Sequence, residues 1–151
     1  MTKPFSLQTL LDLSQLRMDE AGRRLGELLA GEEKDGQRVL LLQQYRAEYR
    51  ERFAAAAKVG IGLDAMNNYK YFLGRLDEAI NQAEEMAAQA KQRTAAGQRV
   101  WLDQRSQVKA FDTLSQRHFS REQRIENRKE QKAQDEHAAR SYWGDDVSRE
   151  E

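Results

Sequence analysis

The chain has 151 residues, with 25 basic and 25 acidic side chains and no cysteine. The balanced charge provides no global field that would favour nucleic acid or a membrane, and the lack of cysteine excludes a disulfide framework and thiolate chemistry. Hydrophobic residues make up only 39% of the chain, but Ala, Leu, Gln, Glu, Arg and Lys dominate, as in long helices and coiled coils. No signal peptide or run of membrane-spanning length is visible, so we expect a cytosolic helical protein.

The first predicted helix extends over about residues 6–58, with Ser6 as its N-cap and Phe5 and Leu10 spaced as a hydrophobic staple. Along this helix, one set of positions recurs at alternating steps of four and three residues without interruption, which we call the heptad stripe. A sustained seven-residue period predicts that the helix winds around a partner in a left-handed coil. The positions of this stripe are Leu7, Leu11, Ser14, Met18, Ala21, Leu25, Leu28, Glu32, Asp35, Val39, Leu42, Arg46, Tyr49, Phe53 and Ala56.

The stretch VGIGLD, residues 59–64, interrupts the helical pattern with two glycines. Gly60, Gly62 and Ala65 also satisfy the spelling G-x-G-x-x-G/A of a dinucleotide-binding loop, but that loop requires a preceding β-strand. An alanine-rich run of strong helix formers precedes Gly60 instead. We therefore predict a turn at 59–64, with the glycines ending one helix and Asp64 as the N-cap of the next.

The second predicted helix covers about residues 65–140 and continues the heptad rhythm, leaving a flexible tail at 141–151. If the chain folds back at Ile61, residue i faces residue 122 − i, and each stripe position then meets another stripe position. This register predicts a single antiparallel two-helix hairpin over residues 1–151 and pairs Trp101 with Ala21, Gly97 with Leu25, and Ile80 with Leu42. The second stripe is formed by Leu73, Leu76, Ile80, Ala83, Ala87, Ala90, Thr94, Gly97, Trp101, Gln104, Val108 and Phe111.

The same register predicts a weak layer and a C-terminal helical overhang. Ala87 and Ala90 face Asp35 and Glu32, within a stretch whose two glycines each cost ~1 kcal/mol in a helix interior. Leu7 pairs with Ser115, so residues 116–140 have no partner from the first helix. That overhang carries seven basic and five acidic side chains.

Catalysis and metal binding are not indicated. His118 and His137 lack a partner at metal-ligand spacing, and the charged helical faces provide no enclosed pocket that would perturb carboxylate pKa values. Interleaved acidic residues also argue against a phosphate-binding track for nucleic acid. We predict no catalytic residues, no metal site and no cofactor.

One apolar cluster exceeds what a two-helix seam requires. Tyr69, Tyr71, Phe72 and Leu73 fan around most of the second helix, whereas one partner helix covers only a stripe. Across the seam, Phe72 is expected beside Tyr49, Leu76 beside Tyr45, and Ala79 beside Leu42. The cluster is either a broadened coiled-coil core or an exposed docking patch for a partner protein, and large apolar patches favour the second interpretation.

Several stretches together resemble the flagellar export protein FliJ family, in order and spacing, from Phe5 to Arg140. They are LLQQYRAEYRERF (41–53), GI (60–61), NYKYFLGRLDEAINQ (68–82), FDTLSQR (111–117) and ENRKEQKAQDEHAAR (126–140). The tail SYWGDDVSREE departs from the family pattern.

The resemblance implies a non-enzymatic, cytosolic component of the type III apparatus that exports flagellar proteins. It also implies an antiparallel coiled coil similar to the central stalk of rotary ATPases, located at the cytoplasmic face of the inner membrane. The implied partners are the hexameric export ATPase (FliI), the membrane export gate (FlhA) and export chaperones. The gate-binding positions of the family fall on Leu42, Tyr45, Tyr49, Phe72, Leu76 and Ala79.

The overhang is too polar to be supported by its own apolar side chains, and a surrounding ATPase ring would explain its charge. We therefore expect Arg117, Arg121, Arg124 and Arg128 to contribute to ATPase binding. Two alternatives remain open at this point: the stalk protein of a virulence-type secretion system, and a generic coiled-coil scaffold in which a second copy supplies the partner helix.

Overall fold

The computed structural model describes residues 3–149 and contains two long helices. Helix α1 is Gln8–Val59, with 52 residues, and helix α2 is Leu63–Arg149, with 87 residues. The two helices pack against each other, and residues 3–149 contain no strand. The all-α prediction is therefore confirmed. No helix within the same residues is apolar over a length that could cross a membrane.

The contacts group the residues into two compact units. One unit consists of Met18–Asp103, and the other combines Met1–Arg17 with Gln104–Glu151. We call them the central unit and the terminal unit. The central unit contains the turn between α1 and α2, and the terminal unit contains both chain ends.

Glycine closes the turn because the backbone there adopts a conformation that other residues avoid. Gly60 has φ of 98°, and its amide donates to the Ala56 carbonyl at 3.1 Å, which is the left-handed motif that commonly ends a helix. The Gly62 carbonyl accepts from the Met66 amide at 3.0 Å, so Gly62, not Asp64, occupies the N-cap position of α2. Asp64 lies in the first turn of α2, where its negative charge interacts favourably with the positive end of the helix dipole.

Helix α1 begins two residues later than predicted. The Gln8 amide donates to the Phe5 carbonyl at 3.1 Å, and the Leu7 carbonyl accepts from the Leu11 amide at 3.0 Å. Ser6 therefore lies in a turn before the helix and is not its N-cap. The turn arises because the Phe5 carbonyl already holds the Gln8 amide, one of the donors that an N-cap side chain would satisfy.

The heptad stripes are the buried faces of both helices. Each of the 15 positions predicted for α1 and the 12 predicted for α2 is buried or half-buried. Ile80, Ala83 and Ala90 of the central unit are only 4–8% exposed. The side chains between the stripes are mostly exposed. The seven-residue period therefore identified the seam correctly.

Contacts within the central unit confirm the predicted register. The Thr94 hydroxyl donates to the Leu28 carbonyl at 3.3 Å and to the Ala90 carbonyl at 3.0 Å. The rings of Phe53 and Tyr69 have centroids 5.4 Å apart. Both cross-helix pairs, Thr94 with Leu28 and Phe53 with Tyr69, are residues i and 122 − i.

In the two large-against-small layers, Gly97 and Trp101 contact residues that lie three positions and one position from their predicted partners, and Gly97 lies near its predicted partner Leu25 as well. A Cβ added at Gly97 would lie 2.6 Å from Leu28 Cδ1 and 3.9 Å from Leu25 Cδ1, so Leu28 is the closer neighbour. Trp101 lies against Gly22, with Nε1 3.5 Å from a Cβ built there. Such offsets arise because each seam side chain enters a hole formed by several residues of the facing helix.

In the terminal unit, residues before α1 lie against α2. The Phe5 ring contacts the His118 ring with centroids 5.6 Å apart, and His118 Nε2 donates to the Lys3 carbonyl at 2.8 Å. The Lys3 amide points to Glu122 Oε2 at 3.4 Å. These contacts come from non-helical residues before α1, so Lys3 and Phe5 extend the packing along α2 to Glu122, beyond the part expected to face the first helix.

Helix α2 also continues beyond its expected end near Arg140, as far as Arg149. No proline occurs in this stretch, and the Ser148 hydroxyl donates to the Gly144 carbonyl at 2.7 Å. Without a proline, each residue of this stretch keeps the backbone donor that the helix needs. Residues 127–149 are all exposed.

Candidate functional site

Two surfaces carry the residues predicted for partner binding. The first, which we call the aromatic patch, lies in the central unit near the turn and is formed by Leu42, Tyr45, Tyr49, Phe72, Leu76 and Ala79. The second, which we call the arginine stripe, lies in the terminal unit and is formed by Arg117, Arg121, Arg124 and Arg128.

The structure brings the rings of the aromatic patch together across the seam. Phe72 of α2 lies between two tyrosines of α1, with centroid distances of 4.4 Å to Tyr49 and 6.4 Å to Tyr45. The Tyr45–Phe72 pair is edge-to-face, at 64°, a geometry in which the positive edge of one ring meets the negative face of the other. The three rings therefore form one contiguous apolar surface.

Two further rings extend this cluster toward the turn. Tyr69 lies 5.3 Å from Tyr49 and 5.4 Å from Phe53, measured between ring centroids. Phe53 was predicted only as a seam residue. The spacing of Tyr45, Tyr49 and Phe53 at intervals of four puts their rings on one helix face, so this signal was present in the sequence.

The members of the aromatic patch differ in exposure. Tyr45 is 48% exposed, whereas Leu76 is only 7% exposed, and the remaining four are half-buried. Leu76 therefore supports the patch from beneath and does not present its side chain to a partner. The patch combines both interpretations of the sequence, because its rings pack across the seam while Tyr45 remains accessible.

Exposed apolar side chains that were not predicted as site residues lie close in sequence to the aromatic patch. Leu40 and Leu41 are each 66% exposed, and Tyr71 is 67% exposed. The guanidinium of Arg75 lies 6.0 Å from the centroid of the Tyr71 ring, at the outer range of a cation–π contact. Such side chains enlarge the apolar area available to a partner.

Polar contacts between α1 and α2 hold the register beside the aromatic patch. Arg46 Nε lies 2.6 Å from Asp77 Oδ1, with both side chains partly exposed. The Gln43 amide donates to Glu84 at 3.4 Å. A partly solvated ion pair adds little stability, but it places a carboxylate beside the charge that Arg46 brings to a seam position.

The arginine stripe occupies one face of α2. Its four residues are separated by steps of four, three and four, which at about 100° per residue confines them to an arc of roughly 60°. All four side chains are exposed. A shallow groove along the same face is lined by Thr113, Gln116 and Ser120 together with the first three arginines.

Carboxylates of this segment lie on the other side of the helix. Glu122, Glu126 and Glu130 follow each other at intervals of four, roughly 140–180° away from Arg117 at 100° per residue. Glu122 and Glu126 are half-buried, in line with the face that contacts residues 3–7. Because the acidic and basic side chains lie on different sides of the helix, the arginine face carries no acidic side chain between Thr113 and Lys132. Such a surface can bind an anionic protein surface.

The two histidines lie in different surroundings. His118 packs between the rings of Phe5 and Phe119 and is bonded to the Lys3 carbonyl. His137 is exposed. Over residues 3–149, no three His, Cys, Asp or Glu side chains are grouped in a way that could hold a metal ion.

Comparison with known proteins assigns the family. A family model described as "Flagellar FliJ protein" matches residues 2–146. The chain belongs to the FliJ family. This family identifies a component of flagellar protein export, so the resemblance seen in the sequence is confirmed.

Two curated relatives support this assignment over nearly the whole chain. The Flagellar FliJ protein of Salmonella typhi is 31% identical over 136 residues, which cover 90% of this chain and 92% of the relative. The Flagellar FliJ protein of Escherichia coli (strain K12) is 30% identical over 136 residues, with the same two coverages.

Proposed function

We propose that this chain is a non-enzymatic adaptor of the flagellar export apparatus, binding the export ATPase through the arginine stripe and the export gate through the aromatic patch. In this role it works in the cytoplasm at the base of the flagellum, reaches the membrane only through the gate, and assists the handling of export chaperones and their cargo. Family membership is the observation that carries the proposal.

The arginine stripe supports the ATPase contact. Its four guanidinium groups are exposed on one face, and no carboxylate of that face compensates them between Thr113 and Lys132. An exposed arginine can form bidentate hydrogen bonds with a carboxylate of a partner. A ring of subunits that presents acidic side chains toward its axis would match this stripe.

The aromatic patch supports the gate contact. Aromatic side chains dominate the energetics of protein interfaces because they bury much area at a low cost in conformational entropy. Tyr45 projects from the packed rings of Tyr49 and Phe72, so it is a pre-formed anchor. Leu40 and Leu41 add exposed apolar area next to it.

The two alternatives are less well supported. The matched relatives are flagellar proteins by name, which favours flagellar export over a virulence-type system. Within the central unit, α1 is packed by α2 of the same chain, as the contacts of Tyr49 with Phe72 and of Thr94 with Leu28 demonstrate. A scaffold in which a second copy supplies the partner helix is therefore unnecessary there.

The ATPase contact is tested by measuring binding to the purified export ATPase and its rate of ATP hydrolysis. The test variant is Arg121→Gln with Arg124→Gln, and the matched control is Lys129→Gln with Arg140→Gln, which removes two charges from the other side of α2. We expect the test variant to lose binding at least about tenfold more than the control, because charged interface contacts are worth ~1.5 kcal/mol or more. Equal binding by both variants would contradict the proposal.

The gate contact is tested by measuring binding to the cytoplasmic domain of the gate. Tyr45→Ala removes the exposed anchor, and Leu16→Ala, which truncates a 65% exposed side chain of the terminal unit, is the control. We expect weaker gate binding only for Tyr45→Ala, with unchanged ATPase binding for both. Unchanged gate binding by Tyr45→Ala would remove the aromatic patch from the proposal.

A further inference from the structure

The arginine stripe is only half of a longer charged face on α2. With the same steps of three and four, the face continues through Gln131, Asp135, Ala139, Tyr142 and Asp146 to Arg149, at about 100° per residue. Asp135, Tyr142 and Asp146 are exposed, and Tyr142 is 73% exposed. The face therefore has a basic N-terminal half and a C-terminal half with two aspartates and a tyrosine before the terminal Arg149, both within the terminal unit.

This arrangement is self-complementary under a two-fold axis. In a symmetric dimer the same patch contacts itself, so residue i meets residue j and j meets i. If two copies of α2 lie antiparallel on this face, with the axis between Gln131 and Lys132, residue i meets residue 263 − i of the second copy. Arg128 then meets Asp135, Arg117 meets Asp146, and each pair occurs twice.

The remaining two arginines also find suitable neighbours in that register. Arg121 meets Tyr142, whose ring can accept a guanidinium over its face. Arg124 meets Ala139, which is small and leaves room for the long arginine side chain. No like charges are opposed directly on the face.

We propose that the exposed C-terminal part of α2 binds a second copy of this chain, antiparallel and through this face. The second copy is favoured as the occupant because Arg117, Arg121 and Arg128 and the two aspartates find complementary partners in one register, and Arg124 meets a small residue. The same helix cannot fold back on itself to bring the two halves together. Lys3 and Phe5 contact α2 at His118, roughly 100° around the helix from Arg117, and residues 5–7 line a groove beside Arg117 and Arg121. The interaction is weak and depends on salt, because its ion pairs are exposed.

This proposal does not rest on the proposed function, but it has a consequence for it. The dimer covers the arginine stripe, so a chain in the dimer cannot use the same arginines for the ATPase. Substitution of the aspartates separates the two proposals, since it removes the dimer and leaves all four arginines in place.

The test is the molar mass of the full-length chain, measured by sedimentation equilibrium over a concentration series at low and high salt. We expect the wild-type mass to rise toward that of a dimer with concentration, and less so at high salt. One variant, Asp135→Arg with Asp146→Arg, makes the face basic throughout. The other, Arg117→Asp with Arg128→Asp, makes most of it acidic. Each alone should weaken association at least about tenfold, because like charges are then opposed, and a mixture of the two should form heterodimers.

The matched control is Asp112→Arg with Glu130→Arg, which reverses two exposed acidic residues on the other side of α2. It should associate like the wild type, and circular dichroism confirms that each variant remains helical. A wild type that stays monomeric up to about 1 mM, where binding of only ~4 kcal/mol would be detected, would overturn the proposal. Association of the Asp135→Arg, Asp146→Arg variant at wild-type strength would also overturn it.

The register is tested separately by disulfide formation. Gln131→Cys places a thiol next to the axis, so two copies should cross-link rapidly under mild oxidation. Gln134→Cys places the thiol roughly 60° farther around the helix at 100° per residue and is the control. Equal cross-linking rates for the two variants would exclude this antiparallel register.

Discussion

Leu28 of α1 packs so close to Gly97 of α2 that a Cβ at position 97 would lie 2.6 Å from the Leu28 Cδ1 atom. Non-bonded carbon atoms pack best at about 3.5–4.0 Å. The layer therefore has no room for a Cβ atom at position 97 unless the Leu28 side chain moves. The Thr94 hydroxyl donates to the Leu28 carbonyl one turn away. The two contacts together fix the approach of α1 and α2 in this part of the central unit.

The first prediction compares two glycines of the central unit. Gly36 has no heavy atom within 4 Å of an added Cβ, so Gly36→Ala should stabilise the chain by up to ~1 kcal/mol through helix propensity. Gly97→Val should destabilise it by about 1–3 kcal/mol, because the added atoms overpack the layer against Leu28. Urea unfolding measures both changes. A Gly97→Val variant as stable as the wild type would contradict the packing described for this layer.

The second prediction concerns the register near the aromatic patch. Leu42→Cys with Ile80→Cys should form a disulfide within one chain, because facing seam positions come within disulfide range. Leu41→Cys with Ile80→Cys is the control, since Leu41 is 66% exposed and lies off the seam. The product is identified by its mobility under non-reducing conditions. Cross-links found only between chains would mean that the helices pair between copies.

The third prediction concerns the polar layer in the middle of the central unit. Glu32 and Asp35 are half-buried seam residues, and the facing Ala90 is 7% exposed, so this layer buries little apolar area. Amide hydrogen exchange should be faster at residues 29–37 and 85–92 than in the layers around Leu42 and Ile80. Uniform protection of the amides against exchange along the central unit would be inconsistent with a middle layer that opens more easily than its neighbours.

The seam could be predicted from the sequence because the seven-residue period reports directly which side chains face the partner helix. The turn was predicted for a similar reason, since Gly60 supplies a backbone conformation that few other residues adopt. The contacts of Lys3 and Phe5 with α2 were missed because these two residues are not helical, and a helical period carries no information about them. Leu76, by contrast, was predicted both as a seam position and as a gate-binding residue, and its burial fits the first of these two predictions.

The fourth prediction separates binding from packing in the aromatic patch. Tyr45→Ala should change the free energy of unfolding little, because Tyr45 is 48% exposed. Tyr49→Ala should cost about 2–4 kcal/mol, since its ring contacts both Phe72 and Tyr69 and large-to-small changes of packed rings are costly. Urea unfolding of the two single variants measures the difference. Equal losses would mean that Tyr45 belongs to the core as much as Tyr49 does.

The fifth prediction uses two truncations of α2 that differ by seven residues. Deletion of residues 123–151 removes Arg124 and Arg128 but keeps His118 and Glu122, which contact Lys3 and Phe5. Deletion of residues 116–151 removes those contacts as well. The shorter deletion should therefore leave the protection of residues 3–17 against hydrogen exchange unchanged, whereas the longer one should reduce it, because α1 then loses the partner that holds its N-terminal end.

Both truncations should reduce ATPase binding, since each removes at least two arginines of the stripe, and both should retain gate binding by the aromatic patch. Binding assays with each partner, made alongside the exchange measurements, distinguish loss of the arginines from loss of structure. If the shorter deletion binds and stimulates the ATPase as the full-length chain does, Arg124 and Arg128 have no part in that contact. If it also loses protection at residues 3–17, the contacts of Lys3 and Phe5 with α2 depend on residues beyond Glu122.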